Sequence, residues 1–421
     1  MTFNKRFKYH NGSNQPTRKF RIFLLGLSFI LIWANPWGLT RADTPPAEML
    51  RKHITRHDAV LIANPSGKII FAENADTPLI PASTLKIFTA FLGFNILGDK
   101  FRFPTHFYLD DKMNLKIKGY GDPLLVSEVV ADIARQLSHH LKTYNDLVVD
   151  DSYFTRPLTI PGITSSFEPY DAPNGALCVN FNTVYFIKKK SGKYVSAEPQ
   201  TPLLPYVIDK IRASGLEKGR IIFSQQRNEI VLYAGHLFRY FLETAGVRGG
   251  GKIRIGRIDV KRDRLVYRYI SRFSLKELVS KLMEHSNNFM ANQILIAAGA
   301  KVRGAPGSLD KALSVGRSFA TEVLNIRNLR IVEGSGISRS NRMSARMMLK
   351  VLKAFRPYHY LLRHEEGEFY KTGTLQGIST RAGYVESEGG GLFPYVIFLN
   401  SKGKRAKNLM SWVRQVIDQL K

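Results

Sequence analysis

The 421-residue chain carries 62 Lys and Arg against 34 Asp and Glu, a formal charge of +28. Its 44% apolar and 23% charged content is that of a globular protein, which excludes disordered and fibrous classes. One cysteine, Cys178, excludes an internal disulfide, a Cys-rich zinc site and an iron–sulfur cluster. At about 150 residues per domain, the length corresponds to two or three domains.

Seven basic residues (Lys5, Arg6, Lys8, Arg18, Lys19, Arg21, Arg41) and no acid fall in residues 1–42. An apolar run from Ile22 to Ala34 follows the main basic cluster. At ~1.5 Å per residue it falls well short of a ~30 Å hydrocarbon core. Thr40-Arg41-Ala42 then offers small residues at the −3 and −1 positions of a cleavage site before Asp43. Residues 1–42 therefore read as a secretory signal. The alternative is an uncleaved N-terminal anchor, with Trp33 and Trp37 at an interface. Either way the remainder is expected to be exported and periplasmic, with at most peripheral membrane association, since no later segment approaches 18 apolar residues. Removing the seven charges leaves +21, which suits an anionic surface outside the cytoplasm, such as a carboxylate-rich cell wall. Nucleic acid is not an expected partner, because the charges are scattered and no aromatic-plus-basic platform is present.

Along the mature chain, 58–63 and 68–72 are β-rich runs around an Asn64-Pro-Ser-Gly67 turn. Pro81 precedes a predicted helix from Ser83 to Leu97. Residues 101–264 lean to β and are interrupted often by Gly and Pro. Helical runs follow at 275–298 and 344–355, then three strands near 368–374, 381–387 and 393–400. A last helix near 406–420 has Leu409, Val413, Val416 and Leu420 on one face, a stripe expected to pack on the sheet.

Three short words carry chemistry. In Ser83-Thr-Leu-Lys86 the i,i+3 spacing places the amine within reach of the hydroxyl on one helix face. A serine needs a neighbouring base, and a lysine serves only if desolvation, nearby positive charge or the helix dipole lowers its pKa. Ser308-Leu-Asp-Lys311 and Ser401-Lys-Gly-Lys404 share the spacing, so this word alone is weak. Ser286-Asn287-Asn288, the only Ser-x-Asn, could relay a proton and hold a substrate carbonyl, or could simply cap a helix. Lys371-Thr372-Gly373-Thr374 lies on a predicted edge strand, where Gly373 leaves space for a peptide backbone and Lys371 and Thr372 offer donors to an anion.

The order Ser-x-x-Lys, Ser-x-Asn, Lys-Thr-Gly is the signature set of penicillin-binding proteins and serine β-lactamases. Further words narrow it. Gly119-Tyr-Gly-Asp-Pro123, the 170–177 segment Tyr-Asp-Ala-Pro-Asn-Gly-Ala-Leu, Glu333-Gly-Ser-Gly-Ile-Ser-Arg-Ser-Asn341 and Lys371-Thr-Gly-Thr-Leu-Gln-Gly377 resemble the penicillin-binding protein 4-like D-alanyl-D-alanine carboxypeptidases, peptidase family S13. The resemblance spans roughly 55–421. The 203 residues from Ser83 to Ser286 exceed the spacing of one-domain β-lactamases and match a family with an insertion between the two motifs. Tyr120 replaces an expected glycine, and Asn292 stands where an acid is expected.

The resemblance implies an α/β, β-lactamase/transpeptidase-like sandwich, an antiparallel sheet flanked by helices, from residues 43–100 and 265–421, with 101–264 as a mostly β inserted domain. It implies a serine-type D-Ala-D-Ala carboxypeptidase or DD-endopeptidase that acts on peptidoglycan stem peptides and takes β-lactam antibiotics as covalent inhibitors. Ser83 would be the nucleophile, Lys86 its general base, and Ser286 with Lys371 the proton route to the leaving amine. Asn288 would hold the substrate backbone, Lys371, Thr372 and Thr374 the terminal carboxylate, and the backbone N–H groups of Ser83 and Thr374 the oxyanion. Arg339 and Gln376 would bind the side-chain carboxylate of a diaminopimelate-type stem, or else be a surface Arg and a turn Gln. No cofactor or metal is expected, since the ten His show no ligand spacing. Two rivals remain: a silent penicillin-recognising wall-binding protein, and a β-lactamase with Glu322 in Glu322-Val-Leu-Asn325 as second base. Cys178 is expected to be structural.

Overall fold

The computed structural model describes residues 45–387 and 389–419; the predicted signal at 1–42 lies outside them. Helix α1 (Pro45–Lys52) leads into strands β1 (Asp58–Ala63) and β2 (Ile69–Glu73), and a 3₁₀ turn at Ala82–Thr84 runs into α2 (Leu85–Leu97). Next come β3 (Pro104–Leu109), β4 (Leu115–Gly119), α3 (Ser127–Leu137), β5 (Thr143–Tyr144) and β6 (Leu147–Asp150). They are followed by β7 (Thr183–Lys188), β8 (Tyr194–Ser196), α4 (Pro205–Ala213), β9 (Lys218–Ile222) and α5 (Arg227–Thr244). Short strands β10 (Arg248–Gly249) and β11 (Ile253–Ile255) then precede β12 (Arg264–Ile270). The C-terminal part holds α6 (Leu275–His285), α7 (Asn288–Arg303), α8 (Leu309–Glu322) and α9 (Ala345–Phe355). It ends with β13 (Arg363–Glu365), β14 (Glu368–Leu375), β15 (Ile378–Glu386), β16 (Leu392–Leu399) and α10 (Met410–Asp418).

The main sheet is antiparallel, in the order β13-β14-β15-β16-β1-β2. Every residue of β1 and β16 is buried, because both faces of the sheet are covered. On one face Val60, Ile62, Tyr395 and Ile397 meet Leu50 of α1 and Val413 and Ile417 of α10. This is the packing expected from the C-terminal stripe, each buried aliphatic side chain contributing about 1.5–3 kcal/mol. On the other face Leu61, Val396 and Phe398 share a core with Phe88, Ile294 and Leu352 of α2, α7 and α9. The result is the expected helix–sheet–helix sandwich. Among the described residues no helix is long and apolar enough to cross a membrane.

Between α2 and α6 lie a five-stranded sheet, β11-β6-β4-β3-β12, and a three-stranded one, β8-β7-β9. To these strands the structure adds three helices, α3, α4 and α5, that the β-leaning reading of 101–264 did not place. The longest, α5, is rich in β-branched and aromatic residues, which favour strands on propensity alone. Its buried residues Ile230, Ala234, Leu237 and Phe238 nevertheless recur at helical spacing and fill the core beneath the five-stranded sheet. The second difference is at 275–298, where one predicted helical run is two helices. Ser286 adopts a left-handed conformation (φ 52°, ψ 35°), and the Asn287 side chain caps α7 by accepting from the Met290 N–H at 2.9 Å.

Candidate active site

Four elements converge on the first motif. Ser83 lies in the 3₁₀ turn that opens α2, and Lys86 in the first turn of α2 itself. The turn is anchored to the sheet, since the Thr84 and Thr380 hydroxyls both donate to the Pro81 carbonyl, at 2.6 and 2.8 Å. Strand β14 then passes directly over the nucleophile. A Cβ placed on Gly373 would stand 2.7 Å from the Ser83 nitrogen and 2.8 Å from the Ala82 Cβ, so only glycine permits this approach. Gly336, at φ +84° in the 333–341 loop, leaves no room either: a Cβ there would run into the Ala82 carbonyl and stand 3.0 Å from the Ser83 nitrogen.

The Lys86 side chain is fully buried, and its Nζ has three neighbours: Ser83 Oγ at 2.9 Å, Asn288 Oδ1 at 2.8 Å and the Ser335 carbonyl at 2.7 Å. Burial, and then the positive charge of Lys371, push this amine well below the usual lysine range, while Glu333 pulls the other way. Lys371 is also buried, which lowers its amine to about 8, and its Nζ donates to the Thr372 carbonyl at 2.9 Å. The first and third motifs thus meet as two buried amines, and Asn288 joins them from the second.

Ser286 sits two residues before Asn288, at the left-handed junction of α6 and α7. Among the described residues its hydroxyl makes no hydrogen bond to Ser83, Lys86 or Lys371. The third motif lies one strand in from the end of the sheet. β13 pairs only with residues 368–370, so the open edge begins at Lys371. Lys371 and Gly373 face Ser83, whereas the exposed Thr372 and Thr374 project from the opposite face, in register with Arg381 and Ser379. Lysine and threonines can therefore share a ligand only at the open edge. Arg339 and Gln376 are both exposed, and the structure joins them: the Arg339 guanidinium donates to the Gln376 carbonyl at 2.9 Å. Glu322 is exposed in the last turn of α8, in a surface groove with Asn95 and Arg303, which removes the basis for a second catalytic base there. Cys178 is buried, its thiol pushed up to about 12 by burial, as suits a structural residue.

Sequence reasoning missed the supports of this site. Glu333 is fully buried and accepts from Ser335 N and Oγ (2.6 Å each), Gly336 N (2.7 Å), Asn341 Nδ2 (2.7 Å) and Asn292 Nδ2 (3.2 Å). It shapes the loop that presents the Ser335 carbonyl to Lys86. Asn292 accepts from Gly334 N at 2.7 Å while donating to Glu333, which an acid could not do. The signal available was the acid followed by Gly-Ser-Gly at 333–336. From the inserted region, the Tyr170 carbonyl accepts from Asn288 Nδ2 at 3.3 Å, which turns the amide oxygen toward Lys86. Asn174 Nδ2 donates to the Phe289 carbonyl at 2.9 Å and to Gln293 at 3.1 Å, fixing the start of α7. Tyr120, in place of glycine, bonds His106 through its hydroxyl at 3.1 Å and packs against Tyr153 with the two rings tilted by 60°.

Known proteins share this fold. The chain is 23% identical to the D-alanyl-D-alanine carboxypeptidase DacB of Haemophilus influenzae over 435 aligned residues, covering 84% of this chain and 88% of the relative. It is 24% identical to a D-alanyl-D-alanine carboxypeptidase of Actinomadura sp. strain R39, covering 70% of this chain and 63% of that relative. Crystal structures of penicillin-binding protein 4 from H. influenzae superpose with a TM-score of 0.73 at 21% identity, over 89% of this chain and 99% of that one, and with 0.68 for its complex with a β-lactam, a likeness that shows the fold. Residues 55–214 and 216–362 match the model of the D-Ala-D-Ala carboxypeptidase 3 (S13) family, and the chain belongs to that family.

Proposed function

We propose that the chain is a serine-type D-Ala-D-Ala carboxypeptidase of peptidoglycan stem peptides, working through an acyl-enzyme on Ser83, with 43–100 and 265–421 as its catalytic domain and 101–264 as an insertion. The surroundings of the Lys86 amine carry this reading. A neutral amine has two hydrogens and one lone pair, and two of its three neighbours, Asn288 Oδ1 and the Ser335 carbonyl, only accept. The hydrogens go to them, and the lone pair is left for the one neighbour that can donate, the Ser83 hydroxyl at 2.9 Å. Burial and the charge of Lys371 favour that neutral form.

In the reaction, Lys86 takes the Ser83 proton as Oγ bonds to the carbonyl carbon of the penultimate D-Ala. The oxyanion is held by the N–H groups of Ser83 and Thr374, each donor being worth ~2.7–4 kcal/mol in such sites. The C–N bond breaks, and the leaving D-Ala amine takes a proton passed by Ser286, assisted by Lys371. Water then attacks the ester and restores the Ser83 hydroxyl. Lys371, Thr372 and Thr374 bind the terminal carboxylate at the open edge of β14, and Arg339 with Gln376 the side-chain carboxylate of a diaminopimelate-type stem. A β-lactam enters the same way and stays on Ser83 as a slowly released adduct. Exported and periplasmic, the chain would meet its substrate directly. Release of D-Ala from a pentapeptide stem, abolished in Lys86→Met, is the expected result; release unchanged in that variant would contradict it.

A further inference from the structure

A second cavity, of about 400 Å³, opens in the inserted region between the ends of β6 and β11 and the turn after α7. That volume lies in the ~300–1,000 Å³ range of small-molecule sites. Phe154, Ile255 and Pro306 give it an apolar wall. Its charged lining is two acids, Asp150 and Asp151, and two arginines, Arg156 and Arg257, which sum to zero. Both acids are buried and already bonded. Asp150 accepts from the Ser152 and Ile258 N–H groups at 2.8 and 2.9 Å, and Asp151 pairs with Arg156 and Arg227. The Ser152 and Thr155 hydroxyls and the exposed Arg257 guanidinium also line the cavity. Among the described residues these three make no hydrogen bond or ion pair.

An aromatic row borders the cavity. The ring centroids of His106, Tyr120, Tyr153 and Phe154 follow one another at 4.7, 4.9 and 5.6 Å, and both tyrosines are partly exposed. Lys118 ties the row to the cavity, its Nζ lying 6.0 Å from the Tyr120 centroid and 3.5 Å from the Asp150 carboxylate. Tyr120 supplies a ring at the very position where a glycine is expected.

We propose that this cavity and its aromatic row bind a neutral sugar ring of the glycan strand from which the stem peptide hangs. The inference rests on the acyl-transfer reading above for the identity of that strand. A sugar ring is uncharged, has apolar C–H faces and presents hydroxyls around its rim. The cavity answers each property, with a summed charge of zero, an apolar wall beside two tyrosines, and two hydroxyls and a guanidinium without partners. The two carboxylates in the lining count against an anion. Distance agrees as well. A Cβ on Gly307 would stand 3.0 Å from the Phe154 ring and from Ala300, and 3.3 Å from Ile296. Ile296 and Ala300 follow Asn288 by eight and twelve residues, about 12–18 Å along α7. The four residues of a pentapeptide stem that precede the scissile bond extend to about 14 Å. The cavity is therefore as far from the site as the strand is from the bond to be cut.

The test uses the full chain and a peptide-free probe, the β-1,4-linked tetrasaccharide of N-acetylglucosamine, titrated by calorimetry. Wild type and Ser83→Ala should bind it equally, so this measurement does not depend on the acyl-enzyme. In a Ser152→Ala/Arg257→Ala variant the Kd should rise about tenfold, the loss of two or more hydrogen bonds. Tyr120→Ala should weaken binding severalfold, and Tyr120→Phe, which keeps the ring, should not. Binding should hold as salt is raised, because the ligand is neutral. In turnover, KM for a pentapeptide stem attached to a glycan tetrasaccharide should rise about tenfold in the double variant, to that of the free pentapeptide. Hydrolysis of the free pentapeptide and penicillin acylation should change less than twofold. No saturable binding of the tetrasaccharide, binding that collapses with salt, or equal KM for the attached and free stems in wild type would overturn the assignment. Penicillin acylation intact beside any of these results would leave the acyl-enzyme standing, whereas tetrasaccharide binding without acylation would remove the acyl-enzyme and keep the sugar site.

Discussion

Replacing Gly373 with alanine tests how closely strand and nucleophile are built together. The residue is outside the left-handed region, so alanine meets no backbone penalty and the effect is steric. Its Cβ would stand 2.7 Å from the Ser83 nitrogen, and ordinary contact begins at 3.4 Å, so β14 must retreat by roughly 0.7 Å. Thr380, which holds the turn beneath Ser83, crowds the same Cβ. Overpacking of this kind costs about 1–3 kcal/mol of stability. A displacement near 1 Å between reacting groups lowers rates on the order of 100-fold. The expected result is penicillin acylation slowed by that order, read by quenched-flow intact mass, with unfolding in urea shifted by the stated cost. Gly389→Ala is the control, because a Cβ there meets nothing within 4 Å. Acylation within threefold of wild type in Gly373→Ala would refute the placement of β14 as the wall of the site.

Other expectations follow from the same geometry. Glu333→Gln turns one carboxylate oxygen into a donor that faces two or more donors, whichever oxygen it is. Losing two charge-assisted bonds predicts a loss of about 3–6 kcal/mol in urea unfolding, and an unchanged midpoint would contradict the network. Because Glu333 favours the Lys86 cation, its removal should also move the acid limb of penicillin acylation to lower pH; a limb moved to higher pH would reverse the sign argued here. Lys371 titrates at about 8 and is a cation below that pH. Turnover of carboxylate-bearing substrates should therefore fall as pH rises through 8, and a chromogenic ester without a carboxylate should lack that limb; the same limb for both would count against the carboxylate role. Arg339→Ala should raise KM for a stem peptide far more than for such an ester, and equal effects would remove Arg339 from substrate binding.

Much of the site was legible because its chemistry lies in short, local words. Ser83 and Lys86 are three residues apart on one helical turn, and β14 carries its motif in four consecutive residues. The main sheet was legible in part for a similar reason, since β1 and β16 are apolar runs and the β-prone residues of β14 and β15 flank the Gln376-Gly377 turn. What the words do not contain is the amine's surroundings. Glu333, Ser335 and Tyr170 act on the site through backbone or buried polar groups contributed from distant parts of the chain, and no spacing in the sequence encodes that they meet. The split at Ser286 escaped for a different reason: the apolar pattern continues across 275–298, and only a left-handed serine before an Asn cap interrupts it. Helix α5 escaped because its residue types speak for β while its buried positions speak for a helix, and burial prevailed.

The central claim is that Ser83 Oγ, deprotonated by Lys86, forms the covalent bond. Intact mass after incubation with penicillin measures this directly, in wild type and in Ser83→Ala. The wild type should gain the mass of one penicillin and keep it over minutes, and Ser83→Ala should gain nothing. Labelling of Ser83→Ala, or wild-type protein that stays at its native mass while the antibiotic survives, would contradict the account.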